Sequence, residues 1–224
     1  MGKLSIVATP IGNLEDLTFR ALRTLSECAV IYAEDTRVIS KLLARYSVAK
    51  TLQRLDAATE IKKADEIIAR LQAGEHVVFV SDAGTPGLSD PGARLVAQVR
   101  ERFPSATIEA IPGPSALTAA LSVAGTDTAE FTFLGFLPHK KGRQTALKKV
   151  ATSSIPVVLY ESPHRVVKLL TELEQTSPAS KITIMRELTK IHEEVISGTP
   201  REMLAHFAAH PDTVRGEFVV IVVP

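Results

Sequence analysis

Tryptophan is absent, and the aromatic residues together make up 5% of the chain. A stacking platform for single-stranded bases is therefore not expected. Cysteine occurs once, at Cys28. An intrachain disulfide and a four-cysteine zinc site are excluded, and this usage fits a reducing compartment. No apolar run approaches the ~20 residues that span a bilayer, so no membrane segment is expected. The run Leu4-Ser5-Ile6-Val7-Ala8 is too short for the apolar core of a signal peptide, which makes the cytoplasm the expected location. The net charge of +1 leaves no polybasic tail and no acidic disordered segment. Neither G-x-G-x-x-G after the first strand pattern nor G-x-x-x-x-G-K-[ST] occurs, which argues against a pyrophosphate cradle.

What is present reads as an ordinary globular chain. Its 224 residues are 45% hydrophobic and 23% charged, enough for one large or two small domains. Short apolar runs predict strands at Leu4–Ala8, Val30–Ala33, Val77–Ser81, Thr107–Ala110, Phe131–Leu134, Val157–Tyr160, Ile182–Met185, Glu194–Ser197 and Phe218–Val223. Helical stripes lie between them, such as Ile61, Ala64, Ile67, Ile68 and Leu71, stopped by Gly74. Asp90-Pro91 and Ser162-Pro163 read as an N-cap followed by proline at the first helical position. Thr199-Pro200-Arg201-Glu202 reads as a capping box. Pro114 and Gly125 bracket a small-residue helix. The alternating order predicts an α/β protein of two domains. The N-terminal domain, 1–112, carries a parallel sheet, and the C-terminal domain, 113–224, a mixed one. Pro112-Gly113-Pro114 marks the boundary.

Four loops follow predicted strands of the first half: Thr9 to Asn13, Ala33 to Arg37, Ser81 to Gly92, and Pro112 to Ser115. Each alone is explained as a tight turn. Together they belong at the carboxyl edge of a parallel sheet, where α/β proteins bind ligands. Asp82 and Asp90 are candidates for holding a ribose hydroxyl, or cap their own turns. The segment His139 to Lys149 holds Lys140, Lys141, Arg143, Lys148 and Lys149 with no acid. It suits phosphate contacts, or a solvated helix face. His206 and His210 have metal-ligand spacing but no third ligand or H-E-x-x-H context, so no metal is expected.

The ordered set of motifs resembles the tetrapyrrole methylase superfamily. Within it, the set is most similar to the bacterial small-subunit rRNA methyltransferases that modify a cytidine ribose 2′-oxygen. The resemblance rests on Ile6 to Leu14, Ala33-Glu34-Asp35-Thr36-Arg37, Ser81 to Pro86, Asp90-Pro91-Gly92 and Pro112-Gly113-Pro114. In the second half it rests on Gly135-Phe136-Leu137-Pro138, Tyr160-Glu161-Ser162 with His164-Arg165, Arg186-Glu187-Leu188-Thr189-Lys190, and Arg215-Gly216-Glu217. Together these cover essentially the whole chain. Leu55 to Glu60 stands where the family has a His/Asn-rich turn, and a contribution to RNA binding from the further helical segment that many relatives carry is not expected here.

The resemblance implies a homodimer of two α/β domains with S-adenosylmethionine in the cleft between the domains. It implies a cytidine near the decoding site of small-subunit rRNA, in the 30S subunit, as acceptor. The cofactor contacts it implies are Pro10, Asp82, Gly84, Thr85, Ser115, Ala116, Tyr160, Glu161, Gly198 and Gly216. On the acceptor side stand Glu34, Arg37, Lys140, Lys141, Arg143, His164, Arg165 and Glu187. Glu161, Lys190 and Asp35 are the catalytic candidates. Two other readings stay open: the same fold acting on a tetrapyrrole or other small acceptor, and a non-enzymatic ribosome-assembly binder.

Overall fold

The computed structural model describes residues 2–127 and 129–224. They form two compact units, Met1–Ser115 and Ala116–Pro224.

The first unit is a parallel sheet of β1 (Lys3–Val7), β2 (Val30–Ala33), β3 (Leu52–Arg54), β4 (His76–Val80) and β5 (Thr107–Ile111), in the order β3-β2-β4-β1-β5. Successive side chains of a strand point to opposite faces, and here both faces are buried. Ile31, Ala33, Val78 and Val80 face one apolar cluster, while Val30, Tyr32, Val77 and Phe79 face the other. The first cluster is covered by α1 (Phe19–Glu27) and α2 (Thr36–Arg45), the second by α3 (Glu60–Gln72) and α4 (Ala93–Arg102). This two-sided burial explains why β2 and β4 read as unbroken apolar runs. Phe79 is fully buried, and its truncation to Ala is expected to cost ~3–5 kcal/mol.

The second unit holds β6 (Thr132–Phe136), β7 (Val157–Glu161), β8 (Lys181–Arg186), β9 (Glu194–Gly198) and β10 (Phe218–Val223), in the order β6-β7-β10-β8-β9. The β6–β7 pair is parallel and the other pairs are antiparallel, so the sheet is mixed as expected. Its main core lies under α6 (Arg143–Ala151), α7 (Pro163–Thr176) and α8 (Pro200–Ala209). A short helix, α5 (Ala116–Val123), packs against β10.

Three local features differ from the sequence expectation. Strand β3, Leu-Gln-Arg, was not anticipated, because a short edge strand with two polar side chains has no apolar run. Helix α4 starts at Ala93 after Gly92, whose φ is +125°, so Asp90 does not cap it. The cap comes from another helix: Glu60 Oε1 accepts the N–H groups of Gly92 and Leu95 at 2.9 Å each. Ser162 does occupy the N-cap of α7 with Pro163 behind it, but its side chain makes no cap hydrogen bond. The Thr199–Glu202 capping box is present with both of its hydrogen bonds.

Candidate active site

Strands β1 and β4 are neighbours, yet their outgoing connections pass to opposite faces of the sheet, through α1 and α4. Such a switch point leaves a crevice at the carboxyl edge. The four strand-end loops meet there. Thr9 and Gly84 exchange both backbone hydrogen bonds at 3.0 Å. Thr85 Oγ1 donates to the Pro114 carbonyl at 3.1 Å. The Asp35 N–H donates to Asp82 Oδ1 at 2.8 Å, tying the β2 loop to the β4 loop. Gly84 has a φ of +76°, and a Cβ there would lie 3.2 Å from Ile11 and 3.7 Å from the Pro114 carbonyl. Glycine is needed at this junction because the backbone is left-handed and the loops are closely packed.

A cleft of about 360 Å³ opens on this edge. It is lined by Thr9, Pro10 and Gly12 from the first loop, Ser81 and Asp82 from the third, and Leu14, Val38, Lys41 and Leu42 from the flank and α2. Sequence reasoning found the loop residues but not the α2 wall. The signal available was the spacing of Val38, Lys41 and Leu42, which puts all three on one helix face.

Several carboxylates crowd the edge, alongside Lys41 in the cleft wall. Burial pushes the Glu34 carboxyl upward, and the charges of Asp82, Asp90 and Asp56 add to the shift. Asp90 is pushed up to about 6, first by burial and then by Asp82. Asp35 moves the other way, to about 2, because the Arg37 guanidinium hydrogen-bonds to it through Nε at 3.0 and 3.1 Å. Asp35 also accepts the Arg37 N–H as the N-cap of α2, so both its oxygens are engaged within its own turn.

The expected residues therefore divide by unit. Pro10, Glu34, Asp35, Arg37, Asp82, Gly84, Thr85 and Ser115 belong to the first, and the loops gather them at one edge. Ala116 opens α5 in the second unit. There Tyr160 stands edge-on to Phe133 and Phe136, with ring centroids 5.0 and 5.7 Å away. His164, Lys140 and Lys141 are exposed.

Glu161 is buried at the end of β7. Its Oε1 accepts the Ser162 N–H at 2.9 Å and Arg165 Nε at 2.6 Å. Arg143 departs from the expectation of a phosphate contact. Its side chain is 4% exposed, and Glu172 takes its guanidinium at 2.6 to 3.0 Å. A guanidinium so enclosed is not presented to a partner's phosphates.

The two distal motifs interlock. Lys190 Nζ donates to Glu187 Oε1 at 2.7 Å and to Glu217 Oε2 at 2.9 Å, while the Glu217 N–H donates back to Glu187 Oε1 at 3.0 Å. Burial opposes the Lys190 charge, but its two carboxylate partners raise its pKa overall. Gly216 has a φ of +86°, and a Cβ there would fall 2.3 Å from the Glu187 carboxyl. The close approach that this glycine permits is thus to Glu187. At Gly198 the equivalent space is taken by Glu202 and Met203. His206 contacts the rings of Phe207 and His210 and lies 3.5 Å from Glu194 Oε1.

The family model of the Tetrapyrrole (Corrin/Porphyrin) Methylases matches residues 3–204. A protein of Borrelia garinii subsp. bavariensis named "Ribosomal RNA small subunit methyltransferase I" is 45% identical over 98% of this chain and 97% of its own length. One of the same name from Neisseria meningitidis serogroup B is 41% identical over 100% of this chain and 76% of its own. Among solved structures, that of the methyltransferase CobJ superposes with a TM-score of 0.71 at 21% identity, over 100% of this chain and 94% of that one. Matched along nearly its whole length at this identity, the chain belongs to the tetrapyrrole (corrin/porphyrin) methylase family, among its ribosomal RNA small subunit methyltransferase I members.

Proposed function

We propose that this protein transfers a methyl group from S-adenosylmethionine to the ribose 2′-oxygen of a cytidine in small-subunit (16S) rRNA, near the decoding site. The observation that carries this reading is its full-length similarity to relatives whose names state an rRNA substrate. The chemistry of the switch-point crevice agrees with it. S-adenosylmethionine brings a sulfonium cation and an ammonium group, and Glu34, Asp82 and Asp90 form a carboxylate cluster suited to positive charge. The same cluster would repel a pyrophosphate. Pro10, Asp82, Gly84, Thr85 and Ser115 are the residues of the first unit assigned to hold the donor.

The bound donor supplies an already activated methyl group. What remains for the chain is alignment and electrostatics, and in-line positioning is worth up to ~7–11 kcal/mol. The ribose hydroxyl must also lose a proton to a group within hydrogen-bond reach. Asp35 is a poor acceptor, since Arg37 holds it as a weakly basic anion. Glu34 is better matched, because burial and three neighbouring carboxylates raise its proton affinity. Lys190, kept cationic by Glu187 and Glu217, suits holding an oxygen anion and not accepting a proton. Lys140 and Lys141 are assigned to rRNA phosphates, which position an RNA without reading its sequence. The acceptor is taken to be the 30S subunit, and the enzyme to act as a homodimer in the cytoplasm.

The test uses 30S subunits from a strain lacking this protein, incubated with enzyme and labelled donor. The methyl is then mapped by mass spectrometry. Label on one cytidine ribose is the expected result. Label on a base, or none on RNA, rejects the proposal.

A further inference from the structure

The second unit encloses four charged side chains in one network. The Glu161 side chain is fully buried, Arg143 is 4% exposed, and Arg165 and Glu172 are 12% and 15% exposed. Arg165 Nε donates to Glu161 Oε1 at 2.6 Å. Arg143 Nε spans both Glu172 oxygens at 3.0 Å, with Nη2 on Oε2 at 2.6 Å. Arg143 Nη1 lies 4.0 Å from Glu161 Oε2, which joins the two pairs. Two positive charges thus meet two negative ones. Removing one partner of a buried pair is strongly destabilising because it strands a charge.

Each arginine has a further donor to spend, and both direct it to one place. Arg165 Nη1 donates to the Leu137 carbonyl at 3.0 Å, and Arg143 Nη1 to the Pro138 carbonyl at 3.3 Å. These are consecutive residues immediately before His139, Lys140 and Lys141, and all of 138–142 is exposed. Gly142, with a φ of +87°, then turns the chain into α6, whose first residue is Arg143 itself. The exposed basic turn is therefore held at its start by two enclosed guanidiniums, oriented by Glu161 on β7 and Glu172 on α7, and its other end runs directly into the backbone of Arg143.

We infer that Arg143, Arg165, Glu161 and Glu172 form a positioning clamp that holds the 138–142 turn so that Lys140 and Lys141 meet the rRNA backbone in a fixed geometry. Arg143 then acts on RNA through the turn and not by touching phosphate. This inference rests on the proposed rRNA substrate.

The test compares Glu172→Gln, Arg143→Lys and Lys140→Ala/Lys141→Ala in the full-length enzyme, with 30S subunits as acceptor. Glu172→Gln removes a negative charge, so simple electrostatics predicts tighter RNA binding. The clamp predicts the reverse: KM for subunits rises about tenfold, the scale of one charge-assisted hydrogen bond. It also predicts kcat and donor affinity within about twofold of wild type, and faster amide exchange confined to 139–142. Arg143→Lys should behave alike, and combining it with Glu172→Gln should add little, as for partners in one network. If Glu172→Gln does not fold, Glu172→Asp, which keeps the charge but shortens its reach, carries the test. Tighter or unchanged subunit binding by the clamp variants, with weakened binding by the lysine variant, overturns the clamp alone. No effect of the lysine variant overturns the RNA role of the turn and the clamp with it. A parallel fall in kcat, donor affinity and subunit binding overturns the clamp in favour of general destabilisation.

Discussion

Glu60, the first residue of α3, accepts the N–H of Gly92 at 2.9 Å and so closes the far end of the Ser81–Gly92 loop. The same oxygen takes the Leu95 N–H, and the carboxylate is buried. Two donors at the start of α4 thus have a partner from outside their own helix. Glu60→Ala is expected to lower stability by ~1–3 kcal/mol, the cost of leaving buried donors unpaired. Glu60→Gln, which keeps an acceptor oxygen, should cost less. Urea denaturation of the two variants checks the order, and equal losses would contradict it.

Asp90 is expected to give donor binding a pH dependence. Its folded-state pKa, about 6, lies above the ordinary carboxylate value, so the folded protein binds the extra proton between the two values. By linkage, its contribution to stability is fully present below the unfolded pKa of ~3.9 and is lost as pH rises through the folded value. The donor is cationic and favours the ionised form. Its affinity should therefore strengthen as pH rises through about 6, with proton release on binding. Calorimetry from pH 5 to 8 measures this, and Asp90→Asn should flatten the profile.

Asp82 is expected to have two separable roles. Its Oδ1 accepts the Asp35 N–H, and its carboxylate lines the crevice and is near enough to raise the pKa values of Glu34 and Asp90. Asp82→Asn keeps an oxygen for Asp35 and removes the charge. Donor affinity should fall by ~1.5–3 kcal/mol, the range for hydrogen bonds to charged groups. Affinity for 30S subunits should hold. Equal weakening of both ligands would assign Asp82 to loop structure alone.

Lys140 and Lys141 are exposed, whereas Arg143 is not. Replacing each lysine by alanine should reduce the slope of log affinity against log salt by ~0.7–0.9 for each phosphate that is no longer neutralised. Filter binding to subunits at several salt concentrations reads this directly. An unchanged slope removes these lysines from the RNA interface.

Gly216→Ala is expected to damage the Glu187–Lys190–Glu217 cluster. The added Cβ falls 2.3 Å from the Glu187 carboxyl, and the left-handed backbone is itself strained for alanine. The cost should reach ~1–3 kcal/mol of stability. Glu187→Ala in the same background removes the clashing group and should restore part of that loss.

Most of the architecture was legible because its causes are local. Strands β2, β4, β7 and β10 are buried on both faces and announce themselves as apolar runs. Prolines and hydroxyl residues marked the starts of α7 and α8 at the right residues. Strand β3 was illegible because Leu52, Gln53 and Arg54 pair along a sheet edge without an apolar run. The cap of α4 was misplaced for a related reason. Asp90-Pro91 has the local chemistry of a cap, but the acceptor that is used lies 32 residues earlier in the chain.

The site divides along the same line. That Thr9 to Asn13, Ala33 to Arg37, Ser81 to Gly92 and Pro112 to Ser115 all lie at one sheet edge followed from the order of strands and helices, which composition and periodicity determine. Which charged side chains are free for chemistry did not follow. Arg143 and Lys140 look alike in sequence, but tertiary packing encloses one against Glu172 and exposes the other. Asp35 and Asp90 are both loop aspartates, yet Arg37 lowers one pKa to about 2 while burial lifts the other to about 6. Desolvation and pairing depend on neighbours brought together from distant parts of the chain, so only the folded structure assigns them.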